Sequence, residues 1–355
     1  MRATVREGKA GDGGLACLRD GPVKAARLYG VGDLRVGEEP GPAPGPGMAL
    51  VRVTAVGICG SDLHWWGEGS IGDARLERPL VPGHEMAGVI EDGPWRGQRV
   101  AIDPAIPCRA CRLCRAGYYN LCTRIRFSGH SDTDGAMREF MAWPAELLHP
   151  LPDSLTDTDG AVLEPLGVAL HALDLGHVRL GAAVAVAGLG PIGLLMVQLL
   201  RVAGAGRIAG FDPLPHRREA ALRLGADVTA DPGSGAGTDE LAGDGVDVAF
   251  ELAGTDAAVQ LAMDLARPGG RVVLGGIPGD DQTTFRASVA RRKGLTIAML
   301  RRMNEVYPRA IALAAARRVD LAAVVSGRYP LARAGEAFAA ATARRGLKVV
   351  VEPAA

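Results

Sequence analysis

Aromatic residues are scarce in this 355-residue chain, with Phe, Trp and Tyr together making up only 4% of it. Burial must therefore come from Ala, Val, Leu and Ile, although the hydrophobic fraction of 48% is ordinary for a globular protein. Net charge is also missing, because 40 Lys and Arg face 40 Asp and Glu. That balance argues against a life on nucleic acid or an anionic membrane, where clustered positive charge supplies the affinity. Lysine is nearly absent: Lys9, Lys24, Lys293 and Lys348 are the four among 40 basic residues, a usage that reflects coding composition. The opening stretch MRATVREGKAGDGGLACLRD lacks the apolar core of a signal peptide, so a cytoplasmic, reducing address is expected. One long apolar run exists, Leu180 to Leu200, and it could span a bilayer by length alone. Gly188, Gly190, Pro191 and Gly193 break it into a short run, a tight turn and a second run. That is the texture of a buried strand followed by a buried helix.

What the chain does have is a cluster of thiols. Cys108, Cys111, Cys114 and Cys122 fall within fifteen residues as C-x2-C-x2-C-x7-C. In a reducing compartment such a cluster is a ligand set rather than a disulfide framework. Four thiolates can wrap one tetrahedral zinc in a closed site, whose role is structural. An iron–sulfur cluster could use the same four ligands. The interleaved Arg109, Arg112 and Arg115 raise the possibility of a zinc-ribbon nucleic-acid reader, but no stacking aromatics alternate with them and the chain is neutral.

The chain divides by texture. VKAARLYGVGDLRVGEEP reads as strands on either side of a turn, and GPAPGPG (41–47) admits no regular structure. Residues 50–150 show short β-like runs separated by Gly and Pro, consistent with a compact β unit. From about Gly167, apolar runs (VAVAG, RIAGF, VDVAFEL, RVVLGGI) alternate with helical runs (IGLLMVQLLRVAG, HRREAALRLGA, DAAVQLAMDLA). That alternation predicts a parallel sheet with right-handed crossovers, hence an α/β fold. DPGSGAGTDELAGDG (231–245) is expected to be a surface crossover.

The turn Gly188-Leu189-Gly190-Pro191-Ile192-Gly193 gives G-x-G-x-x-G between an apolar strand and an apolar helix. Its glycines would allow a tight turn, close approach of backbone to a pyrophosphate, and close helix–strand packing. Asp212 ends the next strand, nineteen residues after Gly193. A carboxylate there binds adenosine ribose hydroxyls and repels a 2′-phosphate, favouring NAD, with Arg217 placed to cover the adenine. An NADP site would use Arg217 and Arg218 instead, and an ordinary Gly-rich turn is the plain alternative. Gly275 and Gly276, closing RVVLGG, are further candidates for the cofactor face.

A more dispersed set follows. GICGSDLHWW holds Cys59, Ser61, Asp62 and His64; PGHEMAG holds His84 and Glu85; LEPLGVALHA holds Glu164. Singly, each is more often a buried structural residue. Together they offer one thiolate, one imidazole and two carboxylates, and a catalytic zinc takes three protein ligands while leaving one position open. An alcohol bound there loses its proton near neutral pH and can release hydride to a nicotinamide.

These motifs, with the late RYPLARAGEAF, resemble the zinc-dependent medium-chain dehydrogenase/reductase family, specifically its polyol dehydrogenase branch. The resemblance runs from about Val23 to Pro353. It implies a GroES-like, β-rich catalytic domain (23–166 and 306–355) interrupted by a Rossmann NAD-binding domain (167–305). It also implies two zinc ions per chain. Cys59, His84 and Glu85 would hold the catalytic zinc, with Glu164 either a further ligand or in contact through the bound water. Ser61 and His64 would carry the alcohol proton outward, Asp62 would support the zinc ligands, and Arg301 would sit near the substrate oxygens. The partner implied is a small polyol or sugar acid, and the assembly a homodimer or homotetramer, with no nucleic acid and no membrane involved.

The chain departs from the family in several places. The run after PGHE is contracted between Gly88 and Gly97, Trp65 stands where relatives often carry Tyr, and Arg302 replaces a frequent Tyr beside Arg301. Residues 1–22 have no family counterpart, which points to Val23 as the natural start; Cys17 in that extension reads as a free surface thiol. Rival functions are a threonine- or butanediol-type dehydrogenase on the same scaffold and a dinucleotide-binding protein without catalysis.

Overall fold

The computed structural model describes residues 21–234 and 244–354. Cys17, residues 1–20 of the extension and residues 235–243 of the expected crossover lie outside the described residues. Pro22–Gly30 and Asp33–Pro40 pair antiparallel around the VGD turn, and residues 41–45 carry no regular structure. A seven-stranded sheet follows. In spatial order its path runs Leu148–Pro150, Arg99–Ile102, Glu85–Asp92, Met48–Gly57, Lys348–Glu352, Val325–Pro330, with Phe140–Pro144 also on Met48–Gly57. Strands from near the C-terminus thus complete a sheet begun near the N-terminus.

The second sheet is wholly parallel and six-stranded: Val228–Ala230, Arg207–Phe211, Ala183–Ala187, Val246–Glu251, Ala266–Leu274, Thr296–Met299. Its central strand Ala183–Ala187 is wholly apolar because helices cover both faces. Pro191–Val202, Pro215–Arg223 and Asp256–Leu265 are among those helices. The order reverses at Ala183–Ala187, where α/β sheets of this kind bind dinucleotides. Among the described residues no helix is long and apolar enough to cross a membrane; Leu180–Leu200 resolves into the strand Ala183–Ala187 and the helix Pro191–Val202.

Helix Asp157–Gly176 ties the two sheets together and runs unbroken past residues 166 and 167. Thr156 caps it, accepting from the Asp159 amide while the Asp159 carboxylate accepts from the Thr156 amide. Its Val162, Leu163 and Leu166 share one core cluster with Ala87 and Ala101 of the first sheet and Val184, Val186 and Leu194 of the second unit. A helix apolar on nearly every face can exist only between two such partners.

Candidate active site

Three neighbouring strands of the first sheet converge on one point. Gly57 at the end of Met48–Gly57 lies opposite Glu85 on one side and Val350 on the other. A side chain at Gly57 would collide with the Glu85 carboxylate, so glycine is what leaves room for it. Beyond Gly57 the chain passes Ile58 to Cys59, which caps helix Gly60–Glu68. The Asp62 carboxylate accepts from the Cys59 amide at 2.9 Å and from the Gly83 amide at 3.1 Å, locking this turn to the segment that carries His84.

The result is a compact donor set. The ligand atoms of Cys59, His84 and Glu85 all lie within 4.8 Å of one another. His84 Nδ1 faces Asp62 Oδ1 at 3.6 Å, an arrangement that fixes a ligating imidazole with its other nitrogen toward the metal. That nitrogen, Nε2, lies 3.4 Å from Ser61 Oγ. Burial works against charge on His84, but Asp62 and Cys59 outweigh it and hold the imidazolium well above the usual range. Glu85 is fully buried; Oε1 accepts from Lys348 Nζ at 2.6 Å, and Oε2 has no partner at all. Buried carboxylate oxygens are rarely left so, and an orphan beside a thiol and an imidazole fits a zinc ligand.

Glu164 stands apart from this three-residue set but within its field. Burial, opposed by His84 and reinforced by Glu85, pushes its carboxyl up to about 7. His64 bonds Glu68 at 2.9 Å on the same helix as Ser61. Trp65 is buried with Leu28 and Leu80 and meets the His130 ring edge-on at 5.6 Å. Arg301 is exposed, and its carbonyl accepts from Asn120 Nδ2 at 3.0 Å. Arg302 turns inward, its guanidinium 4.0 Å over the Phe127 ring, which in turn lies 5.3 Å from the His84 ring.

The four cysteines form a second set. Cys111 Sγ lies 3.5 Å from Cys114 Sγ and 4.0 Å from Cys122 Sγ, too far for disulfides. Zinc–sulfur bonds of about 2.3 Å in a tetrahedron place sulfurs ~3.8 Å apart, so the spacing fits a structural zinc. Backbone amides of Cys108, Cys111 and Cys114 point at Cys122, Cys108 and Cys111 sulfurs respectively. Hydrogen bonds from the Ala110 amide and then the Cys111 amide lower the Cys108 thiol to about 6, whereas burial lifts Cys114 to about 12. The lobe is also a clamp: besides the Asn120 bond, the Gly117 carbonyl accepts from Asn304 Nδ2 at 3.0 Å.

In the parallel sheet each fingerprint glycine has a reason. Gly188 has φ of 99° and packs on the Ala253 backbone; a side chain at Gly193 would strike the Gly188 carbonyl; the space at Gly190 is open except for Arg217 at its margin. Pro191 opens helix Pro191–Val202, and Ile192 is half-buried beside it. Asp212 is buried, accepting from the Leu189 and Leu214 amides at 2.9 Å each, with Arg217 3.6 Å away. Gly275 and Gly276 have packing roles, Gly275 against Leu300 and Gly276 against Gly254.

Sequence reasoning missed two buried charges. Lys348 donates to Glu85 and to the Ile58 carbonyl; a lone lysine opening the apolar strand KVVVE was the available signal. Glu251 gathers the amides of Ala253, Gly254 and Gly276, a terminal acid on an apolar strand just as Asp212 is.

Comparison with known proteins agrees with this geometry. Residues 45–153 match the alcohol dehydrogenase GroES-like domain and residues 191–316 match zinc-binding dehydrogenase. Sorbitol dehydrogenase of Gallus gallus is 35% identical over 340 residues, covering 92% of this chain and 96% of its own. A zinc-binding dehydrogenase of Sinorhizobium meliloti 1021, solved with NADP, superposes with TM-score 0.86 at 32% identity, covering 94% of this chain and 100% of its own. L-idonate 5-dehydrogenase of Escherichia coli superposes with TM-score 0.85 at 27% identity, covering 93% and 98%.

Proposed function

This chain belongs to the zinc-binding medium-chain dehydrogenase family, and from that premise we propose that it oxidises a secondary hydroxyl of a polyol or sugar acid with NAD. The observation that carries the reading is the Cys59, His84, Glu85 donor set with its partnerless Glu85 oxygen, a three-ligand site of the kind that keeps a position for substrate. When bound, zinc acidifies the substrate hydroxyl and the nicotinamide accepts the hydride.

The chain's own residues do the rest. Asp62 holds His84 in the orientation that presents Nε2, and Lys348 fixes one Glu85 oxygen, leaving the other free to serve as a ligand when zinc is bound. Ser61 Oγ, 3.4 Å from His84 Nε2, is placed to take the proton that the hydroxyl gives up. His64, less than one turn further along the same helix and polarised by Glu68, passes it toward solvent. Phe127 lies against the His84 ring with Arg302 over it, and Glu164, buried within the field of His84 and Glu85, is a carboxyl with an affinity for protons near neutrality. Asp212 and Arg217 flank the adenosine end, where the buried carboxylate selects NAD over NADP.

The test is a spectrophotometric NADH screen over polyols, sugar acids, threonine and butanediol, run with NAD and NADP, alongside metal analysis. Turnover with a hydroxyl-rich substrate, NAD preference and about two zinc ions per chain are expected. Cys59→Ser should abolish turnover while retaining NAD affinity and one zinc. One zinc with no turnover on any alcohol would favour a protein that only binds dinucleotide.

A further inference from the structure

A guanidinium one aromatic ring away from the candidate zinc site has no counter-ion. Arg302 lies with its guanidinium 4.0 Å over Phe127, and its Nη1 is buried with no hydrogen-bond partner. Among the described residues Arg302 forms no salt bridge with a carboxylate, and Glu164 acts on it only through its more distant charge. Burial and the neighbouring Arg301 bring the Arg302 guanidinium down to about 10, the direction expected for a cation missing its partner. His130 nearby offers no relief, since burial and Arg302 hold it neutral with its pKa lowered to about 4.

Packing alone does not account for this residue. The Phe127 ring satisfies one face of the guanidinium but accepts nothing from its edge, and an unmade bond on a buried charge is costly. Arg302 also takes φ of 55°, an uncommon conformation for a residue with a side chain and one that clusters at ligand clamps. The surroundings hold that conformation in place. Leu300 bonds the Leu274 carbonyl at the end of the parallel sheet, Asn120 holds the Arg301 carbonyl, and Asn304 is tied to Gly117. On the other side, Ser128 Oγ donates to the Gly83 carbonyl at 2.9 Å, which keeps Phe127 against His84. A guanidinium with a partnerless Nη1, held one aromatic ring from His84, keeps a donor for the fork-shaped recognition of a carboxylate or phosphate.

We propose that Arg302 recognises an anionic group on the substrate, a carboxylate or a phosphate monoester borne a few carbons from the hydroxyl that is oxidised. Exposed Arg301 adds positive potential at the mouth and draws the anion in. This inference rests on the dehydrogenase reading above and narrows it from polyols in general to anionic ones.

The experiment compares three compounds on one carbon skeleton: a neutral polyol, its aldonic acid and its terminal phosphate monoester. With the zinc-loaded full chain and NAD, one of the two anions should exceed the polyol in kcat/KM by at least about tenfold. Which anion wins identifies the group. Arg302→Met should collapse the anion-to-polyol ratio by about tenfold to a hundredfold, mainly through KM, and Arg302→Lys should recover part of it. The anion's KM should also rise with ionic strength more steeply than the polyol's. Calorimetric titration of the same compounds without cofactor gives a readout independent of turnover: the anion binds wild type and is lost from R302M and from Arg302→Gln. Preference for the polyol, or equal changes for all three compounds in these variants, overturns the inference. No oxidation of any of them with either dinucleotide, together with Arg302-dependent anion binding, would instead sink the dehydrogenase reading and leave the anion site standing.

Discussion

Lys348 and Glu85 show what a single residue pair does at this site. Both are almost fully buried, their charged groups 2.6 Å apart. Burial disfavours charge on the lysine, but Glu85 and then Cys59 outweigh it and raise its pKa, so it stays an ammonium at any working pH. Removing one partner of such a pair leaves the other charge stranded, so Lys348→Met should destabilise the protein by about 3–5 kcal/mol in urea unfolding. It should also weaken catalytic zinc retention, because the Glu85 carboxylate is then free to turn. A variant as stable as wild type would show that the pair is dispensable. Cys59, His84 and Glu85 were readable from their motifs because ligand types recur in short, fixed neighbourhoods. Lys348 was not, because its partner lies 263 positions away in sequence.

At the scale of elements, the strand–turn–helix from Ala183 to Val202 is the most legible part of the chain. Its apolar runs and glycine spacing predict both elements, and the structure gives Gly188 and Gly193 a steric reason. Gly193→Ala tests this directly. The added methyl meets the Gly188 carbonyl, so the helix must move away from the strand. Dinucleotide affinity should fall at least about tenfold, with a loss of about 1–3 kcal/mol in stability, by fluorescence titration and thermal unfolding. Unchanged affinity would mean that the turn tolerates the shift and does not grip the pyrophosphate. The helix Asp157–Gly176 was less legible. Its texture changes near Gly167, yet the element does not: burial on both sides makes its two halves look like parts of different units.

Across the whole molecule, the four-cysteine lobe links the first unit to the segment 301–305 that follows the parallel sheet. Asn120 and Gly117 hold Arg301 and Asn304, so the lobe's metal should matter to the substrate cleft although it touches no substrate. Cys111→Ser is expected to lower zinc content from about two to about one per chain. It should raise the substrate KM severalfold, about the worth of two hydrogen bonds, with the NAD KM nearly unchanged. Equal loss of both affinities would point to general unfolding instead. The local series of residues determined the element types, the glycine turn and the identities of the metal-ligating side chains, since those depend on spacing within a few residues. Only the tertiary structure decided that Lys348 secures Glu85, that Glu251 gathers the Ala253, Gly254 and Gly276 amides, and that Arg302 rather than Arg301 turns inward. For Lys348 and Glu251 the answer depends on which distant partner the charge meets when buried, since leaving it unpaired away from water is costly; for Arg302 it depends on the positive-φ turn that aims the side chain at Phe127.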